Sequence, residues 1–137
     1  MAFQVEFVSP ERTLFSDEAT QVVARTRGGG EIAFLSGHEP FVGSLLPCEV
    51  RVTSTSGGIR RFAVRGGFVS VTGTMESTHV TVLSDAAIAA EQLDRAEVEA
   101  ELAAAQEAVR ADGEDAYARE DLRWAEVRMT ALEGVSS

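Results

Sequence analysis

The side chains most often used in catalysis are few and scattered in this chain. It contains two histidines, His38 and His79, and a single cysteine, Cys48. Neither histidine has a Cys or another His at the spacing of a metal site, so we expect no bound metal. A lone thiol among apolar neighbours is more typical of a small buried residue than of a nucleophile. We therefore predict that Cys48 lies in the core.

Two further patterns contain residue types used in phosphate binding or acid–base catalysis, but the neighbouring residues do not support either function. The glycines at 28–30 lead into a strand pattern and lack the Lys and the Ser or Thr that complete a phosphate-binding loop. Glu99 and Glu101 form a carboxylate pair on a predicted solvated helix, where such charges usually serve solubility. No grouping of Ser, His and Asp is visible. The sequence thus predicts no catalytic residues and no cofactor.

Charge divides the chain into two regions. The net charge is −10, which argues against binding to nucleic acid. Residues 1–84 hold 8 acidic and 7 basic side chains, whereas residues 85–137 hold 14 acidic and 5 basic ones. No basic segment followed by an apolar core opens the chain, and no apolar stretch is long enough to span a bilayer. We expect a cytosolic protein of two regions, without direct membrane insertion.

The first region, 1–84, has the pattern of a β domain. Apolar residues alternate with polar ones, as in Phe3, Val5 and Phe7, and glycine-containing turns follow at short intervals. Such repeated short strands predict an antiparallel β-sandwich, with a barrel as the alternative. The pair Gly66-Gly67 indicates either a sharp bend where a side chain would obstruct the backbone, or a plain turn.

The second region, 85–137, is rich in Ala and Glu and has helical periodicity. Asp94 is a suitable N-cap, which predicts a first helix from about Arg95 to about Ala111, before Gly113. A second helix should begin close to Glu114 or Asp115 and end near Gly134. Each carries a narrow apolar stripe, so together they predict an antiparallel two-helix hairpin. The predicted stripes are Val98, Leu102, Ala105 and Val109 on the first helix, and Ala118, Leu122, Ala125, Met129 and Leu132 on the second.

The predicted hairpin would be marginal alone, because about four or five apolar residues per helix bury little area. It should therefore dock on another surface. Tyr117 and Trp124 lie beside the stripe of the second helix and give that helix another apolar face. Packing on the sandwich is the favoured interpretation, and an anchor for a partner protein is the alternative. The overall fold class is α+β, with a β-sandwich followed by a helical hairpin.

Four segments resemble the epsilon subunit of bacterial F-type ATP synthases. They are residues 8–16, 29–41, 61–71 and 80–87. The resemblance implies a non-catalytic subunit of the rotor, whose sandwich binds the gamma subunit and stands on the membrane-embedded c-ring. Torque from ion flow would pass through this joint to the catalytic head. It also implies a peripheral position at the cytoplasmic face of the cell membrane, through the complex.

The resemblance further implies which residues meet these partners. Glu31 and the turn that follows it in sequence are expected at the end of the sandwich that meets the c-ring and gamma. The turn residues are Ser36, Gly37, His38, Pro40 and Phe41. From the sequence alone we do not assign individual residues to one partner or the other.

In bacterial relatives the hairpin extends along gamma, contacts the alpha and beta subunits and restrains ATP hydrolysis, partly through basic residues. Here Arg119, Arg123 and Arg128 would have that role by resemblance. Acidic residues outnumber them on the second helix, so we expect intrahelical pairing to use much of their charge. These acidic residues are Glu114, Asp115, Glu120, Asp121, Glu126 and Glu133.

Some relatives bind ATP on the folded hairpin through a motif of Ile or Leu, Asp, two variable residues, Arg and Ala. Leu93 and Asp94 match this motif, but Glu97 stands in place of the Arg and would repel phosphate. We therefore predict no tight ATP binding. The sequence is also compatible with two alternatives to the rotor role. One is a nucleotide-sensing regulatory subunit, and the other is a free-standing β-sandwich adaptor.

Overall fold

The structure is a computed structural model that describes residues 2–74 and 76–136. Within these residues, nine strands precede two helices. The strands are β1 (Phe3–Val8), β2 (Thr13–Thr26), β3 (Gly30–Leu35), β4 (Phe41–Leu45), β5 (Cys48–Ser54), β6 (Ile59–Val64), β7 (Gly67–Thr74), β8 (Ser77–Leu83) and β9 (Ala87–Ala89). A 3₁₀ turn (Ala90–Gln92) leads to α1 (Arg95–Ala111) and α2 (Ala116–Ser136).

The nine strands form one hydrogen-bonded sheet that folds over into a sandwich. Its order is β1-β8-β7-β4-β2-β5-β6-β9, with β3 beside β2. The 14-residue strand β2 joins the layers, because its first half pairs with β1 and its second half pairs with β3 and β5. The predicted fold class, a β-sandwich followed by a two-helix hairpin, is confirmed.

One strand pair departs from the predicted antiparallel arrangement. Strand β1 runs parallel to β8, with Gln4 beside His79 and Val8 beside Leu83. The alternation of apolar and polar residues determines which face of a strand is buried, but it carries no information on the direction of the neighbouring strand. The other strand pairings among the described residues are antiparallel, as predicted.

The core of the sandwich follows from that alternation. Phe3, Val5 and Phe7 of β1 are at most 4% exposed, while the residues between them are half-buried. Phe7 packs edge-on against the rings of Phe15 and Phe62, with centroids 5.4 and 4.6 Å away. Cys48 lies in the same core, as predicted, and is 7% exposed.

Both helices begin at aspartate caps. Asp94 accepts hydrogen bonds from the backbone N–H groups of Ala96 and Glu97, at 3.0 and 3.3 Å. Asp115 likewise accepts bonds from the first turn of α2. These caps satisfy N–H groups that have no partner within the helix. The predicted bounds of α1 are confirmed, and all members of the two predicted apolar stripes are buried or half-buried.

The sheet continues past the boundary expected between Ser84 and Asp85. Strand β9 pairs antiparallel with β6, Ala89 beside Phe62 and Ala87 beside Val64. Its alanine-rich sequence has the composition of the helical region, but its backbone completes the edge of the sheet. The connection from the sandwich to the hairpin is therefore short, running from Ala90 to Asp94.

Candidate interaction surfaces

The turn after β3 is firmly attached to the sandwich. The Gly37 N–H donates a 2.9 Å hydrogen bond to Oγ1 of the buried Thr78. Gly37 has a φ of +84°, a conformation that glycine adopts without strain. The ring of His38 packs against those of Phe34 and Phe41, with centroids 5.0 and 6.2 Å away. The turn is therefore joined to β8 by a hydrogen bond and to β3 and β4 by ring contacts.

The structure does not bring Glu31 together with this turn. Glu31 lies near the start of β3, beside Arg25 of β2, whereas the turn follows Leu35 at the other end of the strand. At roughly 3.3 Å per residue, Glu31 and Leu35 are about 13 Å apart along β3. The sequence-predicted surface of Glu31 and residues 36–41 thus divides into two places.

Glu31 instead ends a row of charges on the outer face of the sheet. Arg51 lies 3.2 Å from both Glu31 and Glu49, and Arg61 lies 3.1 Å from the other oxygen of Glu49. The Glu49 side chain is only 8% exposed, so its pairing with two guanidinium groups offsets the cost of its burial. Partial burial lowers the pKa of Arg51, but its hydrogen bonds to Glu49 and Glu31 outweigh this and raise the pKa above its ordinary value.

Helix α2 packs on the sandwich through an apolar cluster separate from the sandwich core. On α2 the cluster contains Trp124, Val127 and Ala131, and on the other side it contains Ala63 and Ala90. The favoured interpretation of Trp124 is therefore confirmed, since it packs on the sandwich and is 9% exposed. Tyr117 does not share this role, because it is 80% exposed.

Two arginines hold the Trp124 indole. The guanidinium carbon of Arg65, which follows β6, lies 5.8 Å from the ring centroid, and that of Arg128 lies 5.2 Å from it. Such contacts between a cation and an aromatic face are favourable by about 0.5–2 kcal/mol, more when water is excluded. Arg65 also lies 3.9 Å from Asp121 of α2. The docked hairpin is thus held by charge as well as by apolar burial.

The expected intrahelical pairing of the α2 arginines is wrong. Arg128 forms its ion pair with Glu101 of α1, and its side chain is only 13% exposed. Arg119 and Arg123 are exposed, and among the described residues no carboxylate lies within 4.0 Å of either. Glu120 lines the same surface cavities as Arg119 and Arg123 but forms no ion pair with either, so sequence spacing overestimated the pairing.

Leu93 and Asp94, which match the nucleotide motif, both have structural roles. Leu93 packs against the apolar cluster beneath α2. The Asp94 carboxylate is engaged by two backbone N–H groups as the cap of α1. Glu97, at the position of the motif's arginine, is exposed. This arrangement presents negative charge where the motif requires a cation.

Within residues 2–74 and 76–136, no three His, Cys, Asp or Glu side chains converge as metal ligands would. None of the helices described has the length and apolar character needed to cross a membrane.

Sequence reasoning missed several residues that hold the hairpin on the sandwich. Arg61 lies against Gly134, so close that a Cβ on this glycine would be 2.5 Å from Arg61 Cδ. Arg60 pairs with Glu91 of the 3₁₀ turn at 3.6 Å. Arg61 and Arg65 alternate with the apolar Phe62 and Val64, which is a signal of an outward face. The sequence predicts that the hairpin docks on the sandwich, but it does not indicate which face of the sheet α2 covers.

These features define a class of protein, namely a β-sandwich that carries a docked helical hairpin and presents surfaces for partners. Residues 2–90 match the family model described as "ATP synthase, Delta/Epsilon chain, beta-sandwich domain". The chain belongs to this family, the delta/epsilon chains of ATP synthases.

Curated relatives include ATP synthase epsilon chains from several bacteria. The protein from Dichelobacter nodosus is 38% identical over 118 residues, which cover 85% of this chain and 79% of the relative. That from Thioalkalivibrio sulfidiphilus is 36% identical over 137 residues and covers 97% of this chain and 94% of the relative. The second match includes both the sandwich and the hairpin.

Solved structures share the fold. A chain of the mitochondrial ATP synthase of Euglena gracilis superposes with a TM-score of 0.73 at 20% identity, covering 99% of this chain and 82% of the other. A chain from the central stalk and c-ring structure of the Tetrahymena thermophila enzyme gives a TM-score of 0.55 at 13% identity, covering 96% and 97%. At these identities the likeness concerns the fold alone.

Proposed function

We propose that this chain is a rotor subunit of the central stalk of an F-type ATP synthase. In this role it couples rotation of the c-ring to ATP synthesis and takes no part in the catalytic chemistry itself. The observation that carries the proposal is the near full-length match to an ATP synthase epsilon chain, which extends through both the sandwich and the hairpin. The complex would hold the chain at the cytoplasmic face of the membrane.

The sandwich would bind gamma and stand on the c-ring. The turn at 36–41 suits such a contact, because its hydrogen bond to Thr78 and the packing of His38 fix its shape in advance. A preformed surface loses little conformational entropy on binding. Glu31 lies about 13 Å away along β3, so we assign it to a different contact from the turn.

The hairpin would restrain ATP hydrolysis by contacting the alpha and beta subunits. Arg119 and Arg123 are the basic residues available for this, since both are exposed and neither has a carboxylate within 4.0 Å among the described residues. Arg128 is committed to Glu101 and Trp124 while the hairpin is docked. Both contacts lie within the hairpin, so Arg128 would become available only if α1 and α2 separated.

A nucleotide-sensing role has less support than the rotor role. It requires a site for phosphate at the start of α1, where Asp94 caps the helix and Glu97 adds a second negative charge. ATP bound there would have to approach both carboxylates, which is unfavourable.

The test combines the full-length chain with the catalytic complex of alpha, beta and gamma from the same source. We compare the wild type, Arg119→Gln with Arg123→Gln, and the control Arg110→Gln, which alters an exposed arginine of α1. All three should co-purify with gamma. The wild type and the control should lower ATP hydrolysis, and the double variant should lower it less. Failure of the wild type to co-purify would contradict the rotor assignment.

A further inference from the structure

A small cavity lies where the N-terminal half of α2 meets the sandwich. Its volume is about 220 Å³. Arg27, which follows β2, and Arg65, which follows β6, line it from the sandwich, while Glu120 and Arg123 line it from α2. Trp124 forms part of the same wall. Three exposed arginines and one exposed glutamate therefore line the same cavity.

This concentration of positive charge is unusual for the chain. Acidic residues outnumber basic ones by 22 to 12. Arg51, Arg61 and Arg128 all have carboxylates within 4.0 Å. Arg27 and Arg123, by contrast, have none among the described residues, and the Asp121 that pairs with Arg65 at 3.9 Å is 68% exposed.

The three arginines are exposed, so water and salt screen their mutual repulsion, and the two without a carboxylate partner can bind an anion from solution. Guanidinium groups bind tetrahedral oxyanions well, because their planar N–H donors match two oxygens at once. The cavity is smaller than the roughly 300–1,000 Å³ of pockets for drug-sized ligands, so it suits an isolated oxyanion better than a whole nucleotide.

We propose that this cavity is a binding site for a phosphate-type oxyanion, held jointly by Arg27 and Arg65 of the sandwich and Arg123 of α2. The site is separate from the motif at Leu93 and Asp94, which lies at the start of α1. It does not rest on the proposed rotor role.

The position of the site couples anion binding to the hairpin. Arg27 and Arg65 belong to the sandwich, whereas Arg123 moves with α2, so the complete site exists only while the hairpin is docked. A ligand that binds one conformation preferentially stabilises that conformation. The bound anion would therefore favour the docked hairpin and would engage Arg123, which is then not free for other partners.

The experiment uses the isolated full-length chain, so no catalytic site of an assembled complex contributes. Trp124 is the only tryptophan and lies in the cavity wall, which makes its fluorescence a local reporter. Sodium phosphate is titrated against sodium chloride at matched ionic strength, and thermal unfolding is followed in the same solutions. Phosphate should give a saturable change in fluorescence and a higher unfolding temperature, and chloride should give neither.

Variants then locate the site. Arg27→Gln and Arg123→Gln should each weaken the apparent affinity for phosphate by at least about tenfold, as expected for loss of a charge-assisted bond. The matched control is Arg12→Gln, an exposed arginine outside the cavity, which should leave the affinity unchanged. Equal responses to phosphate and chloride, or an unchanged affinity in Arg27→Gln, would overturn the proposal.

A parallel titration with ATP distinguishes the source of the phosphoryl group. Binding of ATP no tighter than that of phosphate supports the free anion as the ligand. Tighter binding of ATP that Arg27→Gln also weakens would keep the site and assign it to the phosphate end of a nucleotide. Because no partner subunit is present, either result is independent of whether the chain assembles with gamma.

Discussion

The side chain of Arg61 crosses the last turn of α2 at Gly134. A Cβ on Gly134 would lie 2.5 Å from Cδ and 2.8 Å from Cζ of Arg61, so any larger residue requires one of the two to move. Arg61 is held in this place by its 3.1 Å ion pair with Glu49. The absence of a side chain at Gly134 thus allows the end of α2 to lie over the charged row on the sheet.

We predict that the effect of Gly134→Ala depends on Arg61. Alanine is favoured over glycine in helices by up to about 1 kcal/mol, so the substitution should stabilise the chain by about 0.5 kcal/mol in an Arg61→Ala background. With Arg61 present, the clash should cancel this gain or reverse it. Urea unfolding of the four proteins in this double-mutant cycle should give a coupling of about 1 kcal/mol. Additive effects would contradict the proposed contact.

A second prediction concerns the docking of the hairpin. Trp124→Ala removes the largest side chain of the apolar cluster beneath α2, and truncation of such a buried aromatic costs about 3–5 kcal/mol. This cluster is separate from the sandwich core, so α1 and α2 should lose protection from hydrogen exchange while β1, β5 and β8 retain it.

Tyr117→Ala provides the matched control on the same helix. Tyr117 is 80% exposed, and its truncation should change the protection of α2 very little. If Trp124→Ala instead removed protection from strands and helices equally, the hairpin and the sandwich would unfold as a single unit.

The sequence predicted features that depend on neighbouring residues, and it missed features that depend on contacts between residues far apart in the chain. Asp94 and the alternation along β1 act within a few residues, and both gave correct predictions. The Arg128–Glu101 pair and the contact of Arg61 with Gly134 join residues that are 27 and 73 positions apart. Their formation depends on how α1, α2 and β6 pack, which periodicity does not specify.

The candidate site was predicted less well than the fold for the same reason. Glu31 and His38 are close in the sequence, and a loop would bring them together, but β3 extends between them and separates them. The cavity lined by Arg27, Arg65 and Arg123 is formed by three segments that are distant in sequence. Only the direction in which α2 crosses the sandwich brings these arginines to one place.

A third prediction uses the pH dependence of stability. Burial raises the pKa of the Cys48 thiol above its ordinary value. A group whose pKa is raised in the folded state contributes stability below its unfolded pKa, and this stability is lost as the pH rises towards the folded pKa. The free energy of unfolding should therefore decrease above about pH 8.5, by at most about 1.4 kcal/mol per pH unit.

The composition of the chain limits the number of other groups that could change the unfolding free energy in this pH range. The chain contains no lysine and one tyrosine, the exposed Tyr117, so few other side chains titrate between pH 8 and 10. Urea unfolding at several pH values should show the decrease in the wild type, and Cys48→Ala should remove most of it. A decrease of equal size in Cys48→Ala would assign it to another group.

The last prediction concerns the bend between β6 and β7. Gly67 has a φ of +130°, and a side chain there would overlap the backbone carbonyl of Leu83 on the neighbouring strand. Gly67→Ala should therefore cost about 4 kcal/mol or more, because neither backbone is free to move without breaking the pairing of β7 with β8.

Gly57 separates the effect of space from that of backbone conformation. It also has a positive φ, +92°, but no atom lies within 4 Å of the position of an added Cβ. Gly57→Ala should cost only the conformational strain, about 1–2 kcal/mol. Urea unfolding of both variants measures the difference. Equal losses would mean that backbone conformation alone, and not the close approach of Leu83, requires glycine at the bend.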